Sequence, residues 1–296
     1  MIQPSRSERI FQAFNFLFLG LFTLALLLPV LYVLRRSLDV GAFGETSLSL
    51  IPREPSLFYY KAVLQDRGVY QPFLNSLILT VVGTLLSIAL ESMAAYSLSK
   101  RDLPGNRLFI YMMVVTMMFS GGLVPSYLLI KGLGLIDKFP WVLILPSCIG
   151  AWNIFLIRNY YWSIPASLNE SARIDGAQEF TIFSRIVLPL SIPVIAAIAL
   201  FTGVGYWNTF FSAIIYINTP SKFTFAVKLR EILALQMEMQ NQFERLAVGQ
   251  ELLLQNLNME GLYSAMIVIS MLPIILVYPY LQKHFAKGIM VGSIKG

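Results

Sequence analysis

A polar segment at residues 166–178 carries charged and small side chains in an arrangement suited to contacting another protein. Long apolar runs precede and follow it, so a membrane protein would place this segment in water. Ser167 and Glu170 have the spacing of a capping box, which predicts a short helix, and Gly176 is suited to end that helix. The apolar side chains of Leu168, Ala172 and Ala177 are small enough to enter a partner's groove. Arg173 and Asp175 would fix the register by charge. The candidate contact residues are Leu168, Glu170, Ser171, Ala172, Arg173, Asp175 and Gly176. The alternative interpretation is an ordinary amphipathic connector between two helices.

Residues that could support catalysis or metal binding are few. The sequence contains no Gly-x-x-x-x-Gly-Lys-Ser/Thr loop, so we expect that the chain does not hydrolyse ATP by itself. The single histidine, His284, lies beside Lys283 and has no second histidine with which to form a metal pair. The single cysteine, Cys148, lies within an apolar run and is expected to pack there. We therefore predict a chain that is not an enzyme and that holds no metal or cofactor of its own.

The elements that must position the polar segment are predicted to be membrane-spanning helices. The chain has 296 residues, of which 56% are hydrophobic and 13% charged, against roughly 25% charged in soluble domains. Six apolar stretches reach the ~18 residues that indicate a spanning helix. They are Ile10–Leu34, Phe73–Leu98, Leu108–Ile130, Phe139–Ile157, Ile186–Ile217 and Leu262–Leu281. A large soluble helical protein is the alternative, but buried soluble helices rarely extend so far without a charge on any face. The prediction is an all-α membrane protein with six transmembrane helices.

The orientation of these helices follows only weakly from charge. The first apolar stretch is ~25 residues long, too long for a signal peptide, so we expect it to be retained. With the N-terminus inside, basic residues are equally numerous on both sides but denser in the cytoplasmic segments. The basic turn at Ser99–Arg107 is the clearest case, and the positive-inside rule therefore favours cytoplasmic termini. The longer external loop, 212–260, contains an amphipathic pattern over Phe225–Leu257 that predicts a helix.

Five residues inside the predicted bilayer could line a path for a solute. Glu91 is the one charge within its stretch, and it is predicted either to face the bundle interior or to bond a neighbouring helix. Trp152 beside Asn153, and Trp207 beside Asn208, combine an aromatic face with an amide. This chemistry suits sugar rings, which stack on aromatic side chains and form hydrogen bonds at their edges. The alternative for both tryptophans is an interfacial aromatic belt.

The spacing from Glu170 onward resembles a family motif. Glu170–Gly176, nine further residues and then Ile186–Pro189 are similar to the cytoplasmic EAA loop of ABC importer permeases, with Ser171 in place of the motif's second residue. Asn75–Leu77 at the start of the second helix and Gly205–Asn208 after the fifth also resemble elements of that family. The resemblance implies the type I ABC importer permease fold. It further implies that the loop at 165–185 joins the ATP-hydrolysing subunit and transmits its motion to the membrane gate.

The C-terminal segment narrows the resemblance to one branch of the family. Lys287–Gly296 resembles the tail of MalG-like carbohydrate-importer permeases, and within that branch the chain is similar to permeases for complex or acidic oligosaccharides such as alginate. The resemblance implies that Lys287, Gly288 and Lys295 contact the ATPase subunits. The expected organisation is a first helix with an external segment (1–71), a permease core (72–285) and a cytoplasmic tail (286–296).

The expected partners follow from the same resemblance. They are a second, different permease, two subunits that bind ATP and magnesium, an extracytoplasmic solute-binding protein and membrane lipid, with no nucleic acid. The expected location is the bacterial inner membrane. Two alternatives remain at this point: a permease for a non-sugar solute such as a peptide, and an independent secondary transporter. The latter would need charged relay residues in the membrane, where only Glu91 is available.

Overall fold

The computed structural model describes residues 6–40, 49–246 and 259–279, and this part of the chain is helical. It contains one isolated β-bridge, between Asp39 and Pro55. The α-helices in chain order are α1 (Arg6–Leu38), α2 (Phe58–Gln65), α3 (Arg67–Ser99), α4 (Asn106–Met118), α5 (Leu123–Gly132), α6 (Trp141–Ile144), α7 (Ala151–Ser163), α8 (Ala166–Ile174), α9 (Glu179–Ile182), α10 (Leu188–Leu190), α11 (Ile192–Trp207), α12 (Phe211–Tyr216), α13 (Phe225–Leu246) and α14 (Met259–Pro279). A π-helical turn, Phe183–Val187, joins α9 to α10.

Three of these helices are long and apolar enough to cross a membrane by themselves: α1, α3 and α14. Two further spans are bent pairs within the described residues. Helix α4 meets α5 at 117°, and Glu179–Leu190 meets α11 at 79°. The predicted stretches at Leu108–Ile130 and Ile186–Ile217 are therefore interrupted and not continuous helices. Length and composition thus support up to five spans in the part of the chain that the structure describes.

Two of the interruptions occur at glycine or proline residues. Gly122, with φ +80°, separates α4 from α5, a conformation that costs glycine little. The predicted fourth span, Phe139–Ile157, is not a single helix either. It is divided into α6, which has four residues, and α7, which begins at Ala151. Pro146 and Gly150 lie in the intervening segment, and proline cannot donate a backbone hydrogen bond. A cavity lies at this last break.

Two compact units are distinguished by their internal contacts: Met1–Arg67 with Leu229–Leu272, and Gly68–Lys228 with Pro273–Gly296. In the first unit, the buried Arg35 contacts Asp39 at 3.1 Å. The Asp39 carboxylate also accepts hydrogen bonds from the backbone N–H groups of Arg53 and Glu54, both at 3.2 Å. These bonds fix the chain that follows α1.

The second unit has a hydrophobic core in two clusters. One is centred on Leu79, Ile144 and Tyr206, and the other joins α3 and α7 to the segment after α8 through Ala95, Ile157 and Ile182. All three of the latter are fully buried. Helices α3 and α11 each contribute to both clusters and therefore connect them.

Asp137 organises the loop between α5 and α6. Its carboxylate accepts hydrogen bonds from the backbone N–H of Asn218 (3.1 Å), from the N–H and hydroxyl of Thr219 (3.0 and 2.7 Å) and from the Lys222 ammonium (2.7 Å). Its own N–H donates to the carbonyl of Tyr216 at 2.9 Å. Asp137 has φ 61°, a conformation that Asp tolerates better than most residues. The Lys222 ammonium, with help from Thr219, holds the pKa of the Asp137 carboxyl below its usual range.

We expect Asp137→Asn to lower the thermal unfolding midpoint in detergent at neutral pH. The change keeps the shape but removes the ion pair, which is partly exposed, so the loss is about 1 kcal/mol, or roughly 2–4 °C. Because the folded pKa is depressed, the stabilisation is present above pH ~4 and is lost as pH falls further. The difference in unfolding midpoint between the wild type and Asp137→Asn should therefore become smaller below pH 4. Lys138→Met, at an exposed neighbour, is the control, and equal midpoints for Asp137→Asn and wild type at pH 7 would contradict this account.

Candidate functional site

Helix α8 is the short helix that the sequence predicted in the polar segment. Its start is different from the prediction: the N-cap is Pro165 and no side chain caps the helix, so Ser167 lies in the first turn and the capping box is absent. Its end is as predicted. Gly176 has φ +81°, its N–H donates to the Arg173 carbonyl at 3.0 Å, and Ala177 N–H donates to the Ala172 carbonyl at 2.9 Å. This pair of bonds is a Schellman motif, which needs a residue that adopts a left-handed conformation.

The two faces of α8 have different environments. Leu168 is 43% exposed and Ile174 is 86% exposed, and the predicted contact residues Glu170, Ser171 and Asp175 are also exposed. In contrast, Ala172 and Ala177 pack against the cluster formed by α3 and α7. The sequence predicted these two alanines on the partner side, whereas they hold α8 against the chain's own core. The exposed large apolar side chains of α8 are those of Leu168 and Ile174.

Arg173 is engaged within the chain. Its guanidinium donates to the Glu179 carboxylate at 2.6 and 3.0 Å, and this bond raises the pKa of Arg173 above its ordinary value. The same carboxylate receives a hydrogen bond from the Tyr96 hydroxyl at 2.5 Å and contacts the Lys100 ammonium at 2.9 Å. Sequence reasoning missed Glu179. No periodic spacing links it to its partners, because Tyr96 and Lys100 lie in or just after α3, and Arg173 lies on the other side of the turn at Gly176.

A second candidate site is a cavity of about 310 Å³ that Glu91 and Asn153 line together. Glu91 is 1% exposed. Its carboxylate accepts hydrogen bonds from the Gly150 backbone N–H at 2.8 Å and from the Asn153 amide at 3.0 and 3.2 Å. The Asn153 amide also lies 3.4 Å from the Thr202 hydroxyl. Glu91 thus caps the start of α7 from another helix, which satisfies a backbone donor that the break leaves free.

Most of the cavity's polar lining comes from hydroxyl groups. They belong to Ser147, Thr202, Tyr206, Thr209, Ser212 and Tyr216. The Tyr206 hydroxyl lies 3.0 Å from the hydroxyl of Ser87 and 3.3 Å from that of Ser147. Gly83 permits this position, because a Cβ there would lie 2.8 Å from the Tyr206 ring. The lining can therefore donate and accept hydrogen bonds around a neutral polar ligand.

The remaining predicted path residues lie apart from this cavity. Trp152 is 63% exposed. Trp207 is buried, with its ring 5.5 Å from the Phe73 ring in an edge-on contact, and Asn208 donates to the Val204 carbonyl of its own helix at 3.0 Å. Adjacent helical residues point about 100° apart, so Tyr206 and not Trp207 lines the cavity. The predicted tail residues Lys287, Gly288 and Lys295 lie outside the described residues.

Residues 1–291 match the family described as the binding-protein-dependent transport system inner membrane component. The chain belongs to this family. It is a multi-pass inner-membrane component of an ABC transport system.

Individual proteins are similar along nearly their whole length. The chain is 42% identical to the polygalacturonan/rhamnogalacturonan transport system permease protein YtcP of Bacillus subtilis (strain 168), over 98% of this chain and 99% of that protein. It is 40% identical to protein LplC of the same organism, over 99% and 97%. A crystal structure of a bacterial ABC transporter involved in the import of the acidic polysaccharide alginate contains a chain that is 33% identical, with TM-score 0.83, covering 96% of this chain and 100% of that chain.

Proposed function

We propose that this chain is one of two different permease subunits of an ATP-driven importer for oligosaccharides. Two partner subunits bind ATP and magnesium, and an extracytoplasmic solute-binding protein delivers the solute. The chain crosses the membrane six times with both termini in the cytoplasm, the segment of α6 and α7 supplying the sixth crossing. The observation that carries the proposal is α8, a short, exposed helix that ends at a left-handed glycine and lies between apolar elements.

The exposed face of α8 suits a groove of an ATP-binding subunit. Leu168 and Ile174 provide an apolar contact, and Glu170 and Asp175 provide charge at its edge. Apolar contacts at the centre and charged groups at the rim are the arrangement that gives affinity and register at protein interfaces. The opposite face is held by Ala172 within the chain's core. A force applied to α8 by the partner would therefore reach the membrane helices.

The oligosaccharide assignment has two supports. The first is similarity: YtcP is named for polygalacturonan and rhamnogalacturonan, and the structural relative imports alginate. The second is the cavity beside Glu91, whose hydroxyl groups suit the hydroxyls of a sugar. The Glu91 carboxylate already accepts bonds from Gly150 and Asn153. Its role in this proposal is to orient the Asn153 amide and the start of α7 along the path of the solute.

The experiment that tests this function is ATP hydrolysis by the reconstituted complex with a panel of solutes. Acidic oligosaccharides such as oligogalacturonates, neutral oligosaccharides, peptides and phosphate would each be offered with the solute-binding protein. We expect oligosaccharides to stimulate hydrolysis and the other solutes to leave it at the basal rate. Stimulation by a peptide or phosphate alone would contradict the sugar assignment. Solute uptake by the permeases without the ATP-binding subunits would indicate a secondary transporter instead.

The helix end of α8 gives a sharper test of coupling. Gly176→Val places a β-branched side chain at φ +81°, which costs roughly 1–2 kcal/mol and distorts the Schellman turn. We expect a several-fold fall in solute-stimulated hydrolysis and uptake, with weaker retention of the ATP-binding subunits. Gly134→Val is a matched control, because Gly134 also has positive φ (+67°) and no neighbour within 4 Å of an added Cβ. If both variants behaved alike, strain in general and not α8 would explain the loss.

A further inference from the structure

One carboxylate joins three parts of the second unit. Glu179 begins α9, and its two oxygens contact Arg173 at the end of α8 (2.6 Å), Lys100 just after α3 (2.9 Å) and the Tyr96 hydroxyl within α3 (2.5 Å). The Lys100 ammonium also lies 4.3 Å from the centre of the Tyr96 ring. Glu179 therefore connects α8 to the C-terminal end of α3 by side-chain bonds that include two cations.

The Tyr96 end of this connection is rigid. Tyr96 is 8% exposed, and its ring packs against those of Tyr161 and Phe183, with centroids 6.4 and 5.1 Å away. A buried hydroxyl of this kind needs a partner, because an unpaired polar group in an apolar environment is costly. The bond from Tyr96 therefore holds the Glu179 carboxylate at a fixed place, although the Glu179 side chain is 52% exposed.

The end of α3 is also bound to α7 through its last carbonyl groups. The Arg158 Nε donates to the Leu98 carbonyl at 2.8 Å, and the Trp162 Nε1 donates to the Ser99 carbonyl at 2.9 Å. The Arg158 guanidinium stacks on the Trp162 ring at 3.8 Å. These side chains satisfy carbonyls that have no partner within α3 itself. Movement of the α3 end is thereby shared with α7.

The same two helices contribute Glu91 and Asn153 to the lining of the cavity. Glu91 precedes Tyr96 by five residues, or ~7.5 Å along α3, and it binds the N-terminal start of α7 through Gly150. Hydrogen bonds thus join α3 to α7 at two places: beside the cavity, and at the end of α3 that lies beside Glu179. A displacement of Glu179 would tilt a pair of connected helices and so change the cavity lining.

We propose that Glu179 is a positioning residue that transmits the movement of α8 to α3 and thereby to the Glu91 cavity. The inference rests on the proposed function, in which an ATP-binding subunit moves α8. It assigns Arg173 to this internal link and leaves Glu170, Asp175, Leu168 and Ile174 to contact the partner. Loss of the Glu179 charge should therefore leave the partner attached but weaken the connection between hydrolysis and transport.

The test compares solute transported per ATP hydrolysed in the reconstituted complex. Glu179→Gln keeps the side-chain size but removes the charge that pairs with Arg173 and Lys100. Residues along a coupling network change coupling by about two- to thirty-fold, and we expect a loss of about five-fold in transport per ATP. The ATP-binding subunits should remain at wild-type stoichiometry. Glu179→Asp, which keeps the charge, should recover part of the ratio.

Two further variants separate transmission from folding. Tyr96→Phe keeps the buried ring and removes one bond to Glu179, so its effect should not add to that of Glu179→Gln in the double variant. Glu54→Gln makes the same change of side chain at an exposed position in the first unit and should retain the wild-type ratio. Each complex is first assessed for assembly. If Glu179→Gln fails to insert, Tyr96→Phe tests the inference in its place.

The outcomes are distinct from those of the proposed function. A wild-type ratio for both Glu179→Gln and Tyr96→Phe would overturn the inference, as would detachment of the ATP-binding subunits from Glu179→Gln, since Glu179 would then be a docking residue. Failure of the wild-type complex to couple hydrolysis to uptake would instead contradict the proposed function. A lowered ratio with intact subunits and partial recovery by Glu179→Asp supports the inference.

Discussion

In a bilayer, backbone N–H and C=O groups must find partners within the protein, because lipid offers none. Two features of the second unit illustrate this constraint. The break before α7 frees the Gly150 N–H, and Glu91 supplies its acceptor. The end of α3 frees the Leu98 and Ser99 carbonyls, and Arg158 and Trp162 supply donors. The polar side chains between the helices are thus placed where the backbone needs them, and the cavity forms beside one such place.

The membrane helices of this unit and α8 are held in different ways. Charged and polar bonds connect α3 with α7 at two levels, and the hydrophobic cluster between them is fully buried at Ala95, Ile157 and Ile182. Helix α8 is different, because its outer face is exposed and its end depends on one glycine in a left-handed conformation. Two connections join α8 to α3: the packing of Ala172 and Ala177 against the cluster formed by α3 and α7, and polar bonds at the end of α8. Glu179 forms these polar bonds, and we propose that it passes a movement of α8 to the membrane helices.

The sequence predicted the helical class and the three long helices, because apolar runs without charge determine them. It did not predict the breaks, since Gly122, Pro146 and Gly150 occur within runs whose composition alone still indicates a span. Asn75 shows the same limit: its motif was visible, but its bonds to the Ser221 and Phe223 carbonyls join segments far apart in sequence. The capping box at Ser167 was wrong because Pro165 precedes it and the helix begins at Ala166. Trp207 and Tyr206 are adjacent in sequence. Which of the two side chains reaches the cavity depends on how α11 is oriented about its own axis, and the sequence does not give this orientation.

The central claim is that α8 contacts the ATP-binding subunit, and cross-linking from Ile174 tests it most directly. Ile174 is 86% exposed, so a cysteine there can carry a short photoreactive group without disturbing the core. Ile51, which is 76% exposed on the predicted external segment, is the matched position. In the assembled complex, the account predicts an adduct between position 174 and the ATP-binding subunit, and none between position 51 and that subunit. An adduct of position 174 with the solute-binding protein, or of position 51 with the ATP-binding subunit, would contradict it.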